Sequence, residues 1–183
     1  GGRLDLGARH RVGDLHHHLI GDEADFATRR HAAVFHLMPR APEPQARRQL
    51  ELLMLTHDLE SIGDVVTKEI MELAEKKRRK NVSFSAQGWD EIQGFHRKVM
   101  ENFHLAITSL ASGDTELGAK VLRHKKHLAQ IEQELGQKHL LRLHQGLRET
   151  IDTSSIHLDI LTALRRINSI ISKLAYPVLD RRT

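Results

Sequence analysis

The sequence predicts an all-α protein, an antiparallel bundle of four long helices with an irregular or weakly helical N-terminal segment. Three observations carry this. From about residue 44 onward, apolar residues recur at alternating steps of three and four, the period of an amphipathic helix. The breaks between periodic stretches are short and contain helix stop and start residues. No stretch shows strand-like alternation bounded by turn signals. At 183 residues the chain is long enough to bury one core without staples, and helices joined by short connections must run antiparallel.

The expected division is an irregular segment over 1–43, the bundle over 44–179 and a tail over 180–183. The first segment is rich in Gly, Arg, His and Ala, lacks a sustained apolar period and breaks on Pro39, Pro42 and Pro44. Leu52, Leu55, Leu59, Ile62, Val66, Ile70 and Leu73 then mark the first helix. Pro44 suits its first turn, and the basic run Lys76 to Lys80 suits its C-terminal end. Ser85 is the expected N-cap of a second helix ending near Ala111. Ser112-Gly113-Asp114 stops that helix and caps the third, which runs from about Thr115 to Leu147 with Leu117, Val121, Leu128, Ile131, Leu135 and Leu143 as its apolar positions. Asp152-Thr153-Ser154 offers caps for a fourth, marked by Ile156, Ile160, Leu164, Ile167, Ile171 and Leu174 and stopped by Pro177.

Composition narrows the function classes. There is no cysteine, which removes disulfides, thiolate metal sites and cysteine nucleophiles. One Trp and one Tyr cannot build a stacking platform for single-stranded nucleic acid. The net charge of +4 is interleaved with acids along the helices, as on solvated faces. No apolar run reaches the roughly 18 to 20 residues needed to span a bilayer. Nucleotide loops, dinucleotide fingerprints and nucleophile elbows are also missing, so no enzymatic chemistry is expected.

The candidate chemistry lies in Asp58-Leu59-Glu60-Ser61-Ile62-Gly63-Asp64. His57, Glu60 and Asp64 are spaced by three and four, on the side opposite the leucine stripe. Oxygen ligands with one imidazole suit iron, manganese, zinc or magnesium, and a second helix would have to complete the set. Solvated charges at the same spacing are the other reading. His157 and Asp159, two apart, are read as a polar surface residue and an N-terminal-turn carboxylate. His16-His17-His18 is read as incidental. Lys76 to Lys80 is read as a solvated helix end, with acidic lipid headgroups or nucleic acid as its alternative ligands.

The acidic heptapeptide, followed by two long helices joined through Ser112-Gly113-Asp114 and a final helix, resembles the PhoU family of all-α phosphate-transport regulators. The end of the chain, with Asp152 to Leu161, Leu164-Arg165-Arg166-Ile167-Asn168-Ser169 and Ala175-Tyr176-Pro177, is similar to the PhoU-like domain of bacterial sodium/phosphate cotransporter proteins. The resemblance covers about residues 46–179. It implies a regulatory domain on the cytoplasmic side of the inner membrane, partnered by a membrane phosphate transporter domain in the same parent chain or a separate protein, with a homodimer as a further option and no nucleic acid. It implies metal contact through Glu60 and Asp64, with His57 as an addition, and a divalent or iron-type metal as cofactor. Arg165 and Ser169 stand where a second acidic pair belongs. The alternatives are a free-standing helical interaction module and a metal-binding bundle unrelated to phosphate.

Overall fold

The computed structural model describes residues 43–180. The chain divides into two compact units, 1–50 and 51–183. Of the first, only residues 43–50 are described, as helix. Residues 1–42 of the expected irregular segment, with His16 to His18, therefore lie outside the described residues, and Glu43 opens the first helix.

Among the described residues every regular element is helical. Helix α1 has three consecutive parts: an α-helix Glu43–Asp64, a π-helix Val65–Ile70 and an α-helix Met71–Lys80. It is followed by α2 (Ala86–Ser112), α3 (Thr115–His144), α4 (Arg148–Lys173) and the single turn α5 (Tyr176–Leu179). The four long helices expected from the periodicity are all present. None is long and apolar enough to cross a membrane.

Local chemistry sets the boundaries. Asn81 ends α1 in the left-handed conformation at φ 51°, which Asn tolerates better than most residues. The Ser85 hydroxyl caps α2 by accepting the Gly88 amide at 3.2 Å. Gly113, at φ 70°, closes α2, and the Asp114 carboxylate takes the Glu116 and Leu117 amides at 2.8 and 3.1 Å to open α3. α3 stops at His144, short of the expected Leu147, and Gly146 at φ 72° turns the chain. α4 starts at Arg148, earlier than the cap at Asp152 to Ser154 expected from sequence, and no side chain caps it. Asp159, eleven residues further on, is therefore not an N-terminal-turn carboxylate.

α2, α3 and α4 pack on one another, and α1 lies on α4 through its π-helical and C-terminal parts. The centre is filled by Phe95, Val99 and Ala106 of α2, Val121 and Leu128 of α3, and Leu161, Leu164 and Ile171 of α4, with Val65 entering from α1. Truncating Phe95 to Ala in such a layer costs about 3–5 kcal/mol.

The first helix departs from its expected stripe. Asp58 and Val65 are buried, whereas Leu52, Leu59 and Val66 are 50%, 39% and 40% exposed. Apolar residues cover a wider arc of α1 than its neighbour α4 can take in, so α4 receives one edge of the arc and the other edge stays in solvent. The π-helical part adds to this, because a turn with i→i+5 bonds, such as the Met71 amide to the Val66 carbonyl, carries more residues than an α turn and shifts the phase.

Candidate functional site

His57, Glu60 and Asp64 are all exposed on α1. Asp64 accepts a hydrogen bond from Lys68 Nζ at 3.2 Å, and Thr67 Oγ1 donates to the Gly63 carbonyl at 2.9 Å. Among the described residues, no group of three or more His, Cys, Asp or Glu is placed to hold a metal ion. The three candidates therefore make no complete site by themselves, as expected of ligands drawn from a single helix. Asp58 is the heptapeptide's buried acid, and it meets Lys173 Nζ of α4 at 3.4 Å. Farther along, Glu69 pairs with Arg166 of α4. In α4, Arg165, at the position of the absent second acidic pair, turns its Nε to Glu132 of α3 at 3.7 Å.

A cleft of about 740 Å³ opens between the π-helical part of α1 and α4, lined by Thr67, Lys68, Glu69, Glu72, Lys76 and Asp159 among others. Its walls carry both signs of charge and define no single ligand class.

A second polar constellation, not anticipated from the sequence, is buried where α2, α3 and α4 meet. Arg142 of α3 donates Nη1 and Nη2 to the two Glu91 oxygens of α2, at 2.7 and 2.6 Å. His157 of α4 is 1% exposed, which overturns its reading as a surface residue. Its ring stacks on His139 of α3, with centroids 4.7 Å apart, and Nε2 lies 3.5 Å from Glu91 Oε2. His139 Nε2 shares a 2.8 Å hydrogen bond with Ser154 Oγ. Among the described residues, both ring nitrogens of His157, together with Arg142 Nε and Thr150 Oγ1, lack a hydrogen-bond partner. Burial, then the neighbouring His139 charge, pushes His157 down to about 4, while Glu91 pulls the other way. Burial and Arg142 lower His139 as well. Both rings are thus pushed towards the neutral form beside the Arg142–Glu91 pair. The constellation joins three helices through buried polar contacts.

A periodic signal for it does exist in the sequence. His139 and Arg142 continue the Leu128 and Leu135 face of α3 at steps of four and three, and Thr150, Thr153 and His157 extend the buried face of α4 towards its start. Polar identity masked an apolar-type period.

The PhoU domain family matches residues 92–178, the span from the first buried turns of α2 through α5. Residues 92–178 form a PhoU domain. "Putative inorganic phosphate export protein YjbB" of Escherichia coli (strain K12) and the protein of the same name in Shigella flexneri are each 30% identical to this chain over 139 residues, 76% of this chain and 26% of theirs. That of Salmonella typhimurium is 29% identical over 137 residues, 75% of this chain and 25% of its own. The chain thus spans about a quarter of the length of these curated relatives. No solved structure matches it. The buried Arg142–Glu91 and His139–His157 pairs fall within the PhoU domain except for Glu91, which immediately precedes the matched span. The heptapeptide lies upstream of that span.

Proposed function

We propose that this PhoU-containing chain is a regulatory part of sodium-dependent phosphate transport, acting on the cytoplasmic side of the inner membrane by packing α1 against a transporter domain. It works without chemistry of its own. The observation that carries the reading is the open edge of α1, where Leu52, Leu59 and Val66 repeat every seven residues and remain 50%, 39% and 40% exposed, beside Met54 at 59%. A seven-residue apolar seam is the surface a partner helix fills. The relatives, phosphate export proteins by name of which the matched residues cover only about a quarter, support a transporter domain in the same parent chain as that partner. Glu60 and Asp64 lie on another side of α1 from this seam, and a carboxylate from a further partner segment reaching that side would complete a divalent or iron-type metal site, with His57 as a further ligand.

The test is phosphate flux in cells carrying the parent reading frame with Leu52→Glu and Leu59→Glu. The variant chain is expected to keep its helical circular dichroism while flux changes several-fold. Unchanged flux with an intact fold would rule out α1 packing as the mode of action.

A further inference from the structure

The connections at residues 81–85 and 145–147 lie at the same end of the bundle. Lys76 Nζ of α1 reaches Ser155 Oγ of α4 at 3.5 Å, and the Phe84 ring meets His157 edge-on at 6.2 Å. This end exposes five large apolar side chains from three helices and one turn: Trp89 (47%), Leu140 (55%), Leu141 (64%), Leu147 (42%) and Ile151 (53%). They are distinct from the α1 seam and are spread around a tip, so they make no groove for a helix. Trp89 stacks on Phe84 at 6.0 Å, and Lys77 Nζ sits 5.5 Å from the centre of the Phe84 ring.

The same end is cationic, with Lys76, Lys77, Arg78, Arg79 and Lys80 closing α1, Lys138 near the end of α3 and Arg148 opening α4. Arg78 is drawn to Glu75 at 2.7 Å and Arg148 to Asp152 at 3.7 Å. Among the described residues, Arg79, Lys80 and Lys138 have no carboxylate within ion-pair distance. The opposite end, at the Ser112-Gly113-Asp114 turn, mixes Asp114 and Glu116 with Lys120 and Arg123, and Arg123 pairs with Glu116 at 3.0 Å.

We propose that this end of the bundle docks on an anionic lipid bilayer. Charge complementarity selects the occupant, since each Lys or Arg near an anionic membrane surface adds about 1 kcal/mol of attraction. The apolar side chains narrow it further. Nucleic acid offers exposed leucines and isoleucines nothing to bury in, whereas a headgroup boundary accepts apolar tips of unequal height between basic side chains. Tryptophan is enriched at that boundary because its ring is apolar with one polar edge. Side chains in the first turns of α2 and α4 lean towards this end, since Cα–Cβ bonds tilt to the helix N-terminus, and this carries Trp89 and Ile151 outward.

Trp89 is the only tryptophan in the chain, so its fluorescence reports on this surface alone. The experiment titrates the full chain with protein-free vesicles of phosphatidylcholine, with and without phosphatidylglycerol, and checks binding by co-sedimentation. Blue-shifted emission and sedimentation are expected with phosphatidylglycerol vesicles only, weakening at high salt. Arg79→Ser with Lys80→Ser should reduce partitioning roughly twentyfold or more. Leu141→Ser with Ile151→Ser should abolish the blue shift. Equal binding to pure phosphatidylcholine, no binding to either vesicle, or unchanged partitioning of the charge variant would each overturn the proposal. Binding only to vesicles that contain a transport protein would overturn it in favour of a protein partner.

Discussion

Arg142 and Glu91 are joined by two parallel hydrogen bonds of 2.7 and 2.6 Å between side chains that are 4% and 10% exposed, and they fasten α3 to α2 at one end of the bundle. A fork-to-carboxylate match of this kind is among the stronger polar contacts a protein makes. Its contribution still depends on both partners being present.

Breaking the pair from one side leaves a buried, uncompensated charge. Arg142→Ala and Glu91→Ala should each destabilise the fold by about 3–5 kcal/mol. Glu91→Leu combined with Arg142→Met removes both charges and should cost far less than the two single losses added together. Urea unfolding of the four proteins tests this, and additive losses would show that the pair is not coupled.

The stacked imidazoles make stability depend on pH. His157 is held at about 4 against an ordinary 6.5, so the unfolded chain takes up the proton before the folded one does. The stabilisation is complete above pH 6.5 and drains as the pH falls towards 4, by up to ~3 kcal/mol for this ring. The groups facing it are Glu91 of α2 and His139 and Arg142 of α3. His157→Phe keeps a flat ring but has no proton to bind. Its unfolding free energy should fall less steeply than that of the parent between pH 6.5 and 4, and identical slopes would rule out His157 as the source.

Gly63 sits inside a helix of the acidic heptapeptide, and a Cβ there meets no atom within 4 Å. Gly63→Ala should therefore raise stability by about 0.5–1 kcal/mol through helix propensity. A higher melting temperature together with reduced phosphate flux would mean that a partner approaches α1 closely at Gly63. A lower melting temperature would contradict the open space.

Glu60→Ala with Asp64→Ala removes only the exposed Asp64–Lys68 pair, so stability should change by about 1 kcal/mol or less. Elemental analysis of the full parent protein should show metal lost in the variant. If the unaltered protein carries no stoichiometric metal, these two acids are solvated charges.

Apolar period and capping chemistry made much of this fold legible. Ser85 and Asp114 cap the helices they were expected to cap, and Leu128, Leu164 and Ile171 lie in the core. The start of α4 differs from the sequence expectation, because the helix extends N-terminal of Asp152 to Arg148 without any side-chain cap at Leu147. The facing of α1 is not legible in the sequence for a related reason. Which edge of a wide apolar arc is buried depends on neighbours, and the π-helical part changes phase with no mark in Val65 to Ile70 that sets it apart from an ordinary turn. The buried constellation escaped because His139, Arg142 and His157 satisfy one another only across helices. Each alone reads as surface.

The six π-helical residues of α1 also make this helix tolerant of a change in chain length. They take up a surplus residue between two segments whose neighbours are already fixed, much as an expansion joint takes up slack between rigid spans. A single-residue deletion within 65–70 can tighten that turn into ordinary α-helix while Asp58 stays at Lys173 on one side and Lys76 at Ser155 on the other. Elsewhere in α1 the same deletion turns every following side chain by about 100°.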